Sequence, residues 1–366
     1  MSDVNDPVMT QGSTLKETDK KCPQCGGTMD FDPEIGGLAC PYCGYAEDIE
    51  SAGTAEELDF ASAEKTENCN WGAEKKTIVC KSCGAETIYD ALEVSNECPY
   101  CGSNQVMEAS DENTLAPGGV IPFSITSEVA SENFKKWIGK KFFCPKLAKQ
   151  SAQADAFTGI YLPYWTFDTQ TVSRYTGQYG IDHQEKDKDG QTKTVTDWHR
   201  TFGKYSEFID DELVLGTNRH NTGMLKGIEP FDTAKNIPYK PEYVAGFAAE
   251  RYSIGIKDAW EKAKASIKQK LQYKVENKIR TENKADRVKD VHLMTVFNKI
   301  TYKYLMLPVW CSSFQYNGKV YQFMVNGQTG KVYGRTPTSA IKVIITIASI
   351  ILALILIGMV ARFING

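Results

Sequence analysis

The chain has 366 residues, 42% apolar and 24% charged, a composition that excludes a disordered protein and leaves room for two or three domains. Its 11 cysteines are too sparse for a disulfide-stapled secreted scaffold, and eight of them form four C-x-x-C pairs, the arrangement of metal sites in a reducing compartment. The net charge of −4 conceals two opposite halves, with 7 basic against 21 acidic residues over 1–110 and 35 against 25 over 111–366.

Residues 1–20 carry Asp3, Asp6, Glu17 and Asp19 and no apolar stretch, so they read as a disordered tail and not as a secretory signal. Cys22, Cys25, Cys40 and Cys43 follow with the spacing C-x2-C-x14-C-x2-C, which predicts a ribbon over 21–46. The stretch 47–75 is acidic, with Leu58 and Phe60 as the only bulky anchors between Ile49 and Asn68, and reads as a mobile linker. The same cysteine spacing returns 58 residues later as Cys80, Cys83, Cys98 and Cys101, and Tyr89-Asp90 matches Phe31-Asp32, which predicts a second ribbon over 76–107.

That spacing lets two tight turns converge four thiolates on one tetrahedral Zn²⁺ at about 2.3 Å, so two structural zinc ions are expected. Iron–sulfur ligation and a redox dithiol compete with zinc, but two full sets at equal spacing favour it. Each knuckle continues with glycine (Gly26, Gly44, Gly84, Gly102), which suits the left-handed backbone that aims amides at the sulfurs. A closed four-thiolate site has no position for water or substrate, so no catalysis is assigned to it. Residues 20–110 hold 6 basic against 17 acidic residues, the reverse of a phosphate-binding surface, and match a protein partner with a basic face better than nucleic acid.

A second break at 108–119 ends in the turn signal Pro117-Gly118-Gly119, and 120–338 reads as an α+β domain. A helix capped by Thr126 would put Ala130, Phe134, Trp137 and Ile138 on one face. Aromatic, β-branched sequence with glycine punctuation predicts hairpins at 161–179 and 319–333. Between them, Ile256, Trp260, Ala263, Ile267, Leu271, Val275 and Ile279 predict a long amphipathic helix over 256–283. Residues 257–290 hold 11 basic against 6 acidic residues, which fits either a solvated face or contact with anionic headgroups. Leu162-Pro163-Tyr164-Trp165 and Leu307-Pro308-Val309-Trp310 suggest a duplicated β-unit, and their tryptophans fit a core better than a ligand groove.

Residues 343–361 run for 19 positions without a charge, about 28 Å as a helix and enough for a bilayer core of about 30 Å. Lys319, Lys331, Arg335 and Lys342 precede this segment and only Arg362 follows it, so the positive-inside rule keeps the N-terminal bulk in the cytoplasm as a tail-anchored membrane protein. No phosphate loop, nucleophile elbow, H-E-x-x-H or G-x-G-x-x-G motif is present, and a non-enzyme is expected. The segment from Glu185 to Gly190 starts like a calcium loop but has Lys193 and Thr196 at ligand positions, so it reads as a polar hairpin turn. The histidines His183, His199, His220 and His292 have no ligand-like spacing, and Cys69, Cys144 and Cys311 read as small hydrophobes.

Two ribbons with CPYCG knuckles, the LPYW and LPVW segments, the YNGKVYQFMVNGQTGKVYG hairpin and a terminal anchor together resemble the bacterial membrane-anchored TFIIB-type double zinc-ribbon proteins. That family is encoded beside phage-shock protein A and flotillin-like (SPFH-domain) partners. The resemblance implies an adaptor that recruits an SPFH or phage-shock partner to the membrane in envelope-stress response. It carries over the eight cysteine ligands and no catalytic residue. A membrane-tethered nucleic-acid-binding protein is the alternative.

Overall fold

The computed structural model describes residues 22–65 except Thr28, three short strands between 76 and 108, and 117–365 except 151–156, 187–189 and Arg251. The expected tail over 1–20 and the connecting residues 66–75 and 109–116 lie outside the described residues.

Strands β1 (Asp30–Asp32), β2 (Gly37–Ala39) and β3 (Ala46–Glu47) form a small antiparallel meander. The short strands β4 (Leu58–Asp59), β5 (Lys76–Cys80), β6 (Glu86–Tyr89), β7 (Val106–Glu108) and β8 (Gly119–Val120) all join a second, larger sheet. Helices α1 (Ser127–Gly139) and α2 (Lys146–Gln150) lead into β9 (Thr158–Lys186), along which β10 (Thr192–Leu215) returns. After α3 (Thr222–Ile228), β11 (Ile237–Pro238) and β12 (Ala248–Glu250) comes the long helix α4 (Ile256–Glu282). Strand β13 (Arg287–Tyr316) then turns through Asn317-Gly318 into β14 (Lys319–Asn326) and β15 (Val332–Gly334), and α5 (Ala340–Asn365) ends the described chain.

The sheet is built on β9 and β13, which pair antiparallel from Thr158–Cys311 to Gly180–Arg287. Two short strands add parallel edges, β12 beside Ile160 and Tyr161 of β9, and β8 beside Leu305 and Met306 of β13. Near the middle, β9 is buried on both faces from Gly159 to Thr169, which is why LPYW reads as a continuous apolar run. Farther along, burial alternates, because only one face of the β10-β9-β13 blade is covered. The cover is α4, whose Ala259, Trp260, Ala263, Ile267, Leu271, Val275 and Ile279 are buried at the predicted helical spacing. Helix α1 starts at its Thr126 cap, buries Phe134 and Ile138 against Phe314 and Phe323 of β13 and β14, and turns Ala130 into the main core.

Two expectations are corrected. Residues 161–179 do not form a hairpin; they lie inside the single 29-residue β9, and the turn falls between Lys186 and Thr192. The small residues serve close crossing instead: a Cβ on Gly203 of β10 would stand 2.5 Å from the Tyr175 hydroxyl of β9. The acidic stretch read as a mobile linker is docked as far as it is described. Leu58 and Asp59 pair with Tyr302 and Thr301, Phe60 packs on Phe167 and Trp260, and the Ala55 amide donates to the buried Asn236 side chain. Ile49 also packs on the core and Glu57 pairs with Lys303, so a few side chains dock a segment whose composition resembles a linker.

The LPxW echo is a structural repeat. Each half runs short strand, helix, long strand, return strand: β8-α1-β9-β10, with the short α2 inserted before β9, and β12-α4-β13-β14. Leu162 stands opposite Leu307 where the two long strands cross the midpoint. Around it the bonds recur in pairs: Gly216 donates to the Pro163 carbonyl as Gly327 does to that of Pro308. The indoles repeat the relation, Trp165 Nε1 donating to the Ile254 carbonyl and Trp310 Nε1 to that of Ile125, each two residues before a helix. Both tryptophans belong to the core.

Candidate metal centre

The knuckles of the first ribbon are set by hydrogen bonds from Gly26 to the Cys22 carbonyl and from Gly44 to that of Cys40. Both glycines have φ near +70°, a left-handed conformation that strains any residue with a Cβ, so glycine is favoured at these two knuckles. The sulfurs of Cys22 and Cys43 are 3.5 Å apart, as are those of Cys25 and Cys40, and all four lie within 4.8 Å of one another. A tetrahedral ion with bonds of about 2.3 Å needs sulfurs about 3.8 Å apart, so the set fits one metal ion.

Without a cation, thiols this close cannot all ionise together. Burial would push the Cys40 thiol up, but the amides of Cys43 and Tyr42 outweigh it and hold it down at about 7. The Tyr45 amide would lower the Cys43 thiol, but the Cys22 sulfur and burial push it up to about 12. Cys22 and Cys40 are buried while Cys25 and Cys43 are exposed, as in a site closed on one side by its own meander. The ribbon rests on the segment between β11 and β12: the Phe31 amide donates to the Ala245 carbonyl, and its ring meets Tyr243 edge-on at 5.8 Å.

Of the second set, Cys80 closes β5, opposite Val106 of β7, and Cys83, Cys98 and Cys101 lie outside the described residues, as does Cys69. Cys144 is buried among Phe134, Phe314 and Phe323, and burial pushes its thiol up, as a small hydrophobe requires.

Two further clusters escape sequence reading because their members meet only across strands. At paired bulges in β10 and β13, Asp168, Asp211 and Glu57 converge on Lys303, which sits 2.9 Å from Asp211 and bonds Glu57. The carboxylates could surround a cation, but the ammonium already supplies the positive charge. At the end of β12, Glu250 is fully buried and bonds His220 at 2.6 Å and Thr217 at 2.6 Å. His220 lies 30 residues before its partner, a separation that no ligand spacing signals.

The charges of α4 are partly committed within the fold. Lys274 and Lys270 pair with Glu207 and Glu212 of β10, and Lys264 and Lys278 with Glu261 and Glu282 of the helix itself. Among the described residues, nothing covers the opposite face of the blade. It presents Phe202 (84% exposed), Met294 (79%), Val296 and Phe208 beside Arg174, Arg200, Lys204 and Lys289.

Helix α5 is apolar and unburied from Ala340 to Val360, 21 residues, long enough to cross a membrane. No family model matches the chain and no solved structure is similar to it. It is similar to the uncharacterized protein YdjG of Bacillus subtilis (strain 168), at 28% identity over 323 residues, covering 88% of this chain and 91% of that one.

Proposed function

We propose that the protein is a non-enzymatic, tail-anchored adaptor that holds a protein partner at the cytoplasmic face of a membrane, with zinc in both ribbons. The observation that carries this reading is α5, a 21-residue stretch apolar and long enough to cross a membrane that the other described residues leave unburied. A soluble protein would pay heavily for that exposure, whereas a bilayer covers it. Thiolate-only donors match zinc, and a closed site supports a structural role. Basic residues ahead of the helix support cytoplasmic placement of the bulk.

The uncovered face of the β10-β9-β13 blade suits the partner. Its apolar centre supplies burial and its cations select an acidic surface, which we assign to an SPFH-domain or phage-shock protein by the resemblance above. The same mixture of cations and aromatic rings favours the second reading, a membrane-tethered nucleic-acid binder, because bases stack on such rings. Crosslinked purification of the detergent-solubilised full-length protein from its own cells separates the two. Two zinc ions per chain and an SPFH or phage-shock partner, lost in the Phe202→Glu Met294→Glu variant, support the adaptor. Nuclease-sensitive nucleic acid without that partner overturns it.

A further inference from the structure

The first turn of α5 is tied to the corner between α1 and α2. Lys342 Nζ donates to the carbonyls of Phe142 (2.9 Å) and Cys144 (3.0 Å), the Lys342 ammonium lies 5.6 Å from the Phe142 ring centre, and the Ser339 amide donates to the Phe143 carbonyl at 2.8 Å. These bonds fix the corner beside the point where the apolar helix begins.

The corner is built unlike an ordinary surface loop. Phe142 (66% exposed), Phe143 and Leu147 (67%) point outward together, although Cys144 and Ala148 on the same short segment are buried and could anchor it alone. Around these side chains, residues 133–150 hold six lysines and no acidic residue. Lys135, Lys136, Lys140, Lys141 and Lys146 are exposed, and Lys141 lies over the Trp137 ring at 4.5 Å. Exposed aromatic and aliphatic side chains ringed by lysine match the headgroup region of an anionic bilayer, where rings enter the acyl boundary and ammonium groups meet phosphate.

We infer that the α1–α2 corner is a membrane-surface docking site: Phe142, Phe143 and Leu147 insert into the leaflet that α5 enters, and the surrounding lysines bind anionic phospholipid headgroups. This site, and not the Lys-rich α4, meets the lipid, because α4 covers the β10-β9-β13 blade on the far side of the Leu162–Leu307 midpoint from the corner. The docking fixes how the domain sits over the bilayer, which a single span cannot do. It rests on α5 being a membrane span and is independent of what the adaptor recruits.

The test uses full-length protein in nanodiscs, with benzoylphenylalanine in place of Phe142, Phe202 or Ile351 and photocrosslinked adducts identified by mass. Lipid adducts at 142 and 351 but not at 202 are expected, with the yield at 142 several-fold higher in phosphatidylglycerol discs than in phosphatidylcholine discs. Replacing Lys140, Lys141 and Lys146 by Gln is expected to erase that difference. Lipid adducts at 351 without any at 142 overturn the docking site and leave the span intact, whereas none at 351 removes the span and the docking site together. Adducts at 142 to protein overturn the inference in favour of a protein contact, and equal yields in the two lipids overturn its anionic selectivity.

Discussion

Trp165 and Trp310 occupy equivalent places in two halves of one sheet, each donating its indole N–H to the carbonyl that precedes the other half's helix, at 2.9 and 3.1 Å. Each bond ties the end of an LPxW segment to the start of a helix from the opposite half, so each tryptophan joins the repeats as well as filling the core. Trp165→Phe leaves the buried Ile254 carbonyl, and Trp310→Phe the partly buried Ile125 carbonyl, without its indole donor, and each is expected to cost about 1–3 kcal/mol. Denaturant unfolding of the detergent-solubilised protein measures both. Equivalence predicts costs of similar size.

The four-cysteine cluster of the first ribbon, which could hold one metal ion, is shaped by backbone as much as by sulfur. Cys22→Ser is expected to remove one zinc ion per chain by metal analysis. Gly26→Ala and Gly44→Ala keep all four thiols but force a side chain into the left-handed region, at a cost of roughly 1–2 kcal/mol each. Weaker zinc retention against a chelator checks this.

Asp168 gives stability a pH dependence of defined sign. Burial pushes its carboxyl up to about 6, helped by the charges of Glu57 and Asp211, against the pull of the Asp211 amide and of Lys303. Its folded value exceeds the unfolded value of about 3.9, so its contribution is greatest below pH ~4 and is lost as pH rises through about 6. Asp168→Asn retains a side-chain oxygen to accept the Asp211 amide bond, 2.7 Å long in the native protein, and cannot ionise. Its stability relative to wild type is expected to rise between pH 4 and pH 7, read as the shift in denaturant midpoint.

The Glu250 carboxylate is fully buried, so its His220 and Thr217 partners replace water. Glu250→Ala strips both bonds at once and is expected to cost about 3–5 kcal/mol, with Glu250→Gln costing less because the Thr217 bond survives. Thermal unfolding of the two variants beside wild type ranks them.

Truncation after Thr338 removes the apolar helix and leaves the sheet intact. The shortened chain is expected in the soluble fraction after sedimentation, and the full chain with the membranes.

Much of this was legible because periodicity survives where one face is buried. The Thr126 cap, the seven apolar positions of α4 and the Asn326-to-Lys331 turn all lie where the pattern puts them. Composition misled in two places. Glycines in β9 and β10 resemble turn signals but accommodate large side chains from the neighbouring strand, and acidic residues around Leu58 and Phe60 hide a short segment that pairs with β13. The four ligands of the first ribbon were readable because they are close in sequence. Asp168, Asp211 and Lys303 were not, since only the register of three long strands brings them together.

The repeat also governs how the chain can be assembled. Helix α1 covers β13 and β14, while α4 covers a blade that takes two of its three strands, β9 and β10, from the other half. Neither half therefore carries its own lid. A ribosome that has finished the first half has produced a long bare hairpin that must wait for α4, and α1 must wait for β14. The halves exchange helices within one polypeptide much as swapped protomers do between two, so folding of the sheet completes only when the chain has been made as far as β14 and β15.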